Sequence, residues 1–253
     1  MRKIVLIVAI VLLKVPFFSL GQNLESTIKE AETYYNQADF DAASDAYLKV
    51  IQSGYHSADI YYNLGNTYFK QNNFPSAILY YEKALKLDPS NENVLFNLKL
   101  ANTKIQDKID AVPQLFFIRW YVSLYNMYSV DKWAKISLIL FAIAALFSLL
   151  YFLGKNITIR KTGFYFGFIF LFLMSSALFL SYKKNVSQKE QAFAIVFTPA
   201  VTVKSSPTHN GVDLFVIHEG TKLQIIDKVG EWCEVKIANG SVGWIEKQNL
   251  RII

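Results

Sequence analysis

The chain has 253 residues, of which 53% are hydrophobic and 15% aromatic, and carries a formal charge of +6. The length allows one to three domains, and the composition fits a mixture of membrane-embedded and water-exposed parts. The charge excludes a nucleic-acid-binding role: residues 22–110 hold 8 basic and 12 acidic side chains and residues 189–253 hold 7 of each, so neither polar part has the basic patch such a role requires. The excess sits at the start (Arg2, Lys3, Lys14) and around the apolar runs (Arg119, Lys132, Lys135, Lys155, Arg160, Lys161, Lys183, Lys184), where it acts as a topology and headgroup signal. Cys233 is the only cysteine, so no intrachain disulfide forms, although an exported protein could carry one.

Residues 1–21 have the form of a signal peptide: a basic start, an apolar stretch from Ile4 to Leu13, and Ser19-Leu20-Gly21 before Gln22. Small residues at these places predict cleavage after Gly21, with an uncleaved anchor as the alternative.

Residues 22–110 predict an all-α tetratricopeptide domain of two repeats and a capping helix. Residues 24–91 repeat with a period of 34, and Tyr61, Leu64, Gly65, Tyr68, Ala77, Tyr81, Ala84 and Pro89 fall in the register of that repeat. Small Gly65 and Ala77 allow two helices to approach, Tyr68 and Tyr81 fill the space between helices, and Asp88-Pro89 ends the second helix. Ala31, Tyr34, Ala43, Tyr47 and Val50 hold the same phase one repeat earlier. The segment 92–109 is expected to close the array, because each repeat buries apolar surface only against its neighbours. First helices of such repeats line a concave groove. Asn63 and Asn66 are placed to hydrogen-bond an extended peptide there, with Tyr62 and Phe69 beside them. A C-terminal carboxylate clamp is not expected, since Phe96 and Leu100 stand where cations would be needed.

Residues 111–132 form an aromatic interfacial segment. Phe117, Trp120, Tyr121, Leu124, Tyr125 and Tyr128 recur at spacings of three and four, which predicts a helix in the membrane surface or docked on another membrane protein. The uncharged runs Ile136–Leu153 and Gly163–Tyr182 approach the roughly 20 residues needed to cross a bilayer. They predict a transmembrane hairpin with helices over 133–154 and 163–182, a cytoplasmic loop over 155–162 and a linker over 183–191. The loop holds Lys155, Arg160 and Lys161 and no acid, so it should stay in the cytoplasm. Both polar parts are then periplasmic.

From residue 192 the pattern changes to period two. Val201–Val203, Lys222–Asp227, Cys233–Ile237 and Val242–Ile245 are strand candidates, separated by turns at Pro207, Asn210-Gly211, Glu219-Gly220, Val229-Gly230 and Asn239-Gly240. Five short strands indicate a small all-β barrel over 192–253 that resembles bacterial SH3-like domains. Asn239-Gly240 is expected to form a tight hairpin with φ > 0 at both positions. Trp232 and Trp244 belong to the pattern of this domain type; packing is the first expectation for them and a ligand face the second. Cys233 should be a buried small hydrophobe.

Nothing points to catalysis. His56, His209 and His218 have no metal-ligand spacing, no nucleophile motif is present, and neither apolar run holds an ionisable residue. No cofactor is expected.

The order of signal sequence, two tetratricopeptide units, aromatic segment reaching Val130-Asp131-Lys132-Trp133-Ala134, helical hairpin and SH3-like domain resembles the Bacteroides aerotolerance (Bat) proteins of the BatE type. The resemblance implies a bacterial inner-membrane protein acting with von Willebrand A-type membrane proteins and a MoxR-type ATPase in oxidative-stress tolerance or envelope integrity. The expectation is a non-catalytic scaffold binding protein partners and membrane lipid. The alternatives are an envelope sensor binding peptidoglycan and a periplasmic chaperone.

Overall fold

The computed structural model describes residues 15–110, 112–113, 115–190 and 192–253. The expected signal sequence falls outside the described residues over 1–14. The architecture comprises N-terminal helical repeats, two long apolar helices and a C-terminal antiparallel β-sheet domain. The chain divides into two compact units, one of described residues up to 84 with 93–105, the other of 85–92 with 106–253.

In the first unit, α1 (Val15–Asn36) pairs with α2 (Phe40–Gln52), and α3 (Ala58–Lys70) with α4 (Phe74–Leu87), before α5 (Glu92–Asn102). The turns inside the two pairs are equivalent: Ala38 (φ 59°) and Asn72 (φ 60°), 34 residues apart, both adopt the left-handed conformation. Asp39 caps α2 by accepting from the Ala42 N–H, and Ser57 caps α3 by accepting from the Ile60 N–H. Ala31, Ala46, Tyr47, Val50, Ile60 and Leu64 form the buried core of the first pair and its junction with the second. The glycine at 65 has a steric reason, since a Cβ there would lie 2.6 Å from the ring of buried Tyr81. Gln71 then ties the pairs together, donating to the Phe40 carbonyl at 2.9 Å and Asp41 Oδ1 at 2.7 Å.

The expected capping helix over 92–109 ends at Asn102. Beyond it the side chains find better partners than a further helical turn would give. In the second unit the Asp107 carboxylate accepts from the His218 N–H (2.7 Å), His218 Nδ1 (2.7 Å) and Thr221 Oγ1 (2.6 Å). Ile109 packs on the β-domain core, and the Val112 N–H donates to the Ala238 carbonyl. Asp107, Ile109 and Val112 thus form a strap on the β-domain.

The aromatic helix α6 (Phe116–Asn126) has no buried residue. Phe116, Phe117, Trp120 and Tyr121 are all exposed, so the aromatic surface is wider than one face. Next come α7 (Val130–Leu153) and α8 (Ile157–Glu190), both long and apolar enough to cross a membrane. The 34 residues of α8 make a rod of about 50 Å. It takes in most of the expected loop, from Ile157, and most of the expected linker. Residues 157–162 and 183–190 contain no Pro or Gly, so charge ends the apolar run without ending the helix. The two helices meet closely at Gly163, where a Cβ would fall 2.6 Å from the Tyr151 nitrogen. Phe147 stacks on Phe166 and Phe170 with centroids 5.3 and 5.5 Å away.

Lys184, expected at the headgroups, is instead 3% exposed. Its Nζ donates to the Tyr128 and Tyr125 carbonyls at 2.8 and 3.3 Å, where cationic charge meets the C-terminal end of α6. Ser181 Oγ donates to the Val130 carbonyl beside it.

The β-domain has seven strands, β1 (Ala192–Val196), β2 (Ala200–Lys204), β3 (Asp213–His218), β4 (Lys222–Val229), β5 (Trp232–Lys236), β6 (Val242–Glu246) and β7 (Leu250–Ile252). They form one antiparallel sheet in the order β3-β2-β6-β5-β4-β1-β7. Every strand contributes to one buried cluster, including Val196, Val203, Ile217, Leu223, Val235, Ile245 and Leu250, so the sheet wraps around its core. The sheet has two strands more than the expected five; β1, β3 and β7 match none of the four named candidates, and the irregular burial of β3 hides the period of two. The Asn239-Gly240 turn also differs from expectation. Only Gly240 has positive φ (91°), its N–H donates to the Ile237 carbonyl, and Ile237 donates to the Ser241 carbonyl. This is a three-residue loop ending in a left-handed glycine, and Asn239 Oδ1 accepts from the Ser241 N–H rather than turning left-handed itself.

Candidate functional site

The first unit contains an open cavity of about 260 Å³ lined by Glu32, Tyr35, Asn36, Tyr47, Asn63 and Asn66. Its walls follow from the helical period. Glu32 and Asn36 are one turn apart on α1, and Asn63 and Asn66 share a face of α3. Tyr47 reaches the cavity from the core between them. Burial pushes its hydroxyl up to about 12, helped by the Glu32 charge and opposed by the Asn63 amide, so it stays neutral.

Asn66 is held in one orientation. Its Oδ1 accepts from Tyr81 Oη at 2.8 Å and from Asn97 Nδ2 at 2.8 Å. Tyr81 is itself buried, and desolvation raises its hydroxyl well above the usual tyrosine range, which keeps the donating proton in place. With both acceptor sites of the carbonyl engaged, the Asn66 amide offers the cavity only N–H donors.

Among the residues singled out in the sequence, Asn63 and Asn66 line this cavity. Tyr62 stands behind it, accepting from Asn97 Nδ2 at 3.2 Å and packing on Tyr81. Phe69 lies against Phe74 edge to face at 5.6 Å. The sequence reading missed the α1 wall, although Glu32 and Asn36 stand 34 and 30 residues before Asn66 and Asn66 and Glu32 hold equivalent positions of the repeat.

The second expected ligand face lies on the β-domain. Trp232 and Trp244 are half-buried and sit outside the core cluster. Strand alternation points them away from it: their neighbours Cys233, Gly243 and Ile245 are buried. Register places Trp232 opposite Glu246 and Trp244 opposite Glu234. His209 packs edge to face on Trp232 at 5.4 Å and reaches Glu246 at 3.3 Å. These tryptophans therefore form part of an outer aromatic and acidic surface. Cys233 is 2% exposed, and burial pushes its thiol up, which suits a packing role. Among the described residues, no group of three or more His, Cys, Asp or Glu side chains is placed to hold a metal ion.

Comparison with known proteins gives the class of each part. Residues 58–91 match the tetratricopeptide repeat family, and residues 199–251 match the bacterial SH3 domain family. A stretch of 43 residues is 51% identical to tetratricopeptide repeat protein 6 of Homo sapiens, covering 17% of this chain and 8% of that protein; the chain thus spans less than a tenth of that relative's length. Both matched families are protein-interaction domains rather than enzymes.

Proposed function

We propose that the chain is a non-catalytic, membrane-anchored scaffold whose repeat groove holds a segment of a partner protein. The observation that carries this reading is the polar cavity between α1 and α3, with Asn63 and Asn66 on one wall and Glu32 and Asn36 on the other. Tetratricopeptide units bind peptides on this face, and side-chain amides pair with an extended backbone. The hairpin of α7 and α8 anchors the chain in a bacterial inner membrane, with both polar parts in the periplasm. The strap supports placing both polar parts on one side, because Asp107 precedes the hairpin and is bonded to His218 and Thr221, which follow it. The resemblance to BatE-type proteins makes other Bat-type membrane proteins the first partners to test. Crosslinking the tagged full-length chain in native membranes should then recover one or two stoichiometric partners. Alanine at both Asn63 and Asn66 should lose them, while unchanged recovery would reject the groove. A diffuse set of exported proteins would instead indicate a chaperone.

A second reading is favoured by the outward Trp232–Trp244 surface with Glu234, Glu246 and His209: a sensor that binds peptidoglycan through the β-domain. Aromatic rings beside polar groups suit sugar and stem-peptide contacts. The full chain in detergent should sediment with purified sacculi, and alanine at both tryptophans should release it. Failure of the unaltered chain to sediment would reject this reading.

A further inference from the structure

We propose that the groove selects a partner segment carrying a cationic group, with Glu32 as its charge partner and the Asn66 amide reading a main-chain carbonyl beside it. The inference rests on the groove reading above and adds its specificity. Three observations point to it. First, Glu32 is the one carboxylate among the described lining residues, and none of them is Lys, Arg or His. The neighbouring cation on α1, Lys29, pairs with Glu25 at 2.8 Å and also feels the Glu32 charge, but among the described residues Glu32 makes no ion pair within 4 Å. The cavity therefore presents negative charge, and a segment ending in a carboxylate meets repulsion where a cation meets attraction. Second, the orientation of Asn66 is fixed by Tyr81 and Asn97. Its free N–H groups favour a carbonyl, so one wall donates while the other takes positive charge. Third, the rings of Tyr35 and Tyr47 border the same space. They can cover the aliphatic stem of a lysine or arginine, or face its charged head.

The tyrosine rings favour a lysine or arginine side chain over a free chain terminus, since only the side chain has an aliphatic stem for them to cover. Panning a random peptide display library against the full chain in detergent separates the possibilities. The proposal expects enrichment of Lys or Arg, and loss of that bias with Glu32→Gln. A synthetic copy of an enriched peptide should bind the Glu32→Gln chain about tenfold more weakly, as removal of a charged hydrogen bond implies. Acetylating its amino terminus should leave binding unchanged; lost binding would assign the charge to the chain terminus and overturn the side-chain reading. Peptides enriched without charge bias, yet lost on alanine substitution of Asn63 and Asn66, would overturn the proposal and leave the groove reading standing. Enrichment no greater than that of the doubly substituted chain would remove both.

Discussion

Replacing Asp107 by Ala should open the β3–β4 corner of the β-domain, although residue 107 lies more than a hundred positions earlier in the chain. The side chain of Asp107 is 14% exposed and accepts three hydrogen bonds of 2.6 to 2.7 Å, two from His218 and one from Thr221. Bonds to a charged acceptor contribute about 1.5–3 kcal/mol each, but the three share one carboxylate and are not additive. A loss of about 2–4 kcal/mol is therefore expected locally, and it should speed exchange of the His218 amide by roughly thirty- to a thousandfold. The assay is hydrogen exchange of the full chain in detergent, read by mass spectrometry on peptides across 213–223. Asp107→Asn should behave nearly as badly, since its amide turns a donor toward donors. The pH dependence has a definite sign. Burial alone would raise the Asp107 carboxyl, but the bonds from Thr221 and His218 outweigh it and hold it below its ordinary value of 3.8. Its contribution is therefore complete above that value and is lost as the pH falls through the lower folded one. Unchanged His218 exchange in Asp107→Ala at neutral pH would refute the strap.

Gly65→Ala drives a methyl group into the Tyr81 ring and should cost about 1–3 kcal/mol in repeat stability, measured by thermal unfolding with circular dichroism; because Tyr81 orients Asn66, groove binding should fall as well. Cys233→Ser buries a hydroxyl where the thiol is 2% exposed and should lower β-domain stability by about 1–3 kcal/mol; Cys233→Ala should cost less, and a reversed order in denaturant unfolding would contradict the packing role. Gly163→Val meets the Tyr151 and Phe147 backbones and should separate α7 from α8, lowering the aggregation temperature in detergent, whereas Gly167→Ala, with no atom nearer than 3.7 Å, should be tolerated.

The repeat was legible because its constraints are local and periodic. Gly65 and Tyr81 fit one another in the second unit, and Ala31 and Tyr47 hold the same positions one period of 34 earlier. The α3 wall of the groove was legible for the same reason. The α1 wall was not, because the first unit is the more divergent and Glu32 and Asn36 have no partner visible in one dimension. The apolar helices were legible from composition, and so was the end of α7 at Leu153, but the ends of α8 were not: a run of uncharged residues measures what the bilayer accepts, while helix length follows backbone propensity, and nothing in 157–162 or 183–190 stops a helix. The strap was invisible to periodicity, since Asp107 and Ile109 serve strands more than eighty residues away. The Trp232–Trp244 surface was seen, but its direction needed the register of β5 and β6.

The strap and the hairpin constrain each other. Asp107 stands before α7, while His218 and Thr221 stand after α8, and all three join in one hydrogen-bonded group. A chain that crosses a bilayer an odd number of times between those points cannot make that group, so the two helices must both cross or both stay out. Charge alone decides this poorly, because Lys132, Lys135, Lys183 and Lys184 offset Lys155, Arg160 and Lys161 on the other side. The Tyr125 and Tyr128 carbonyls hold the Lys184 ammonium without neutralising it, yet the short α7–α8 connection carries three of these cations while each outer end carries two. The proposed topology, with that connection in the cytoplasm, is the one the positive-inside rule expects. Single cysteines introduced at Asn156 and Asn210, in a chain whose own Cys233 is buried, should report it. In intact spheroplasts a membrane-impermeant maleimide should label position 210 and spare position 156. Equal labelling of both would place the two helices outside the bilayer, and the reverse pattern would invert the chain.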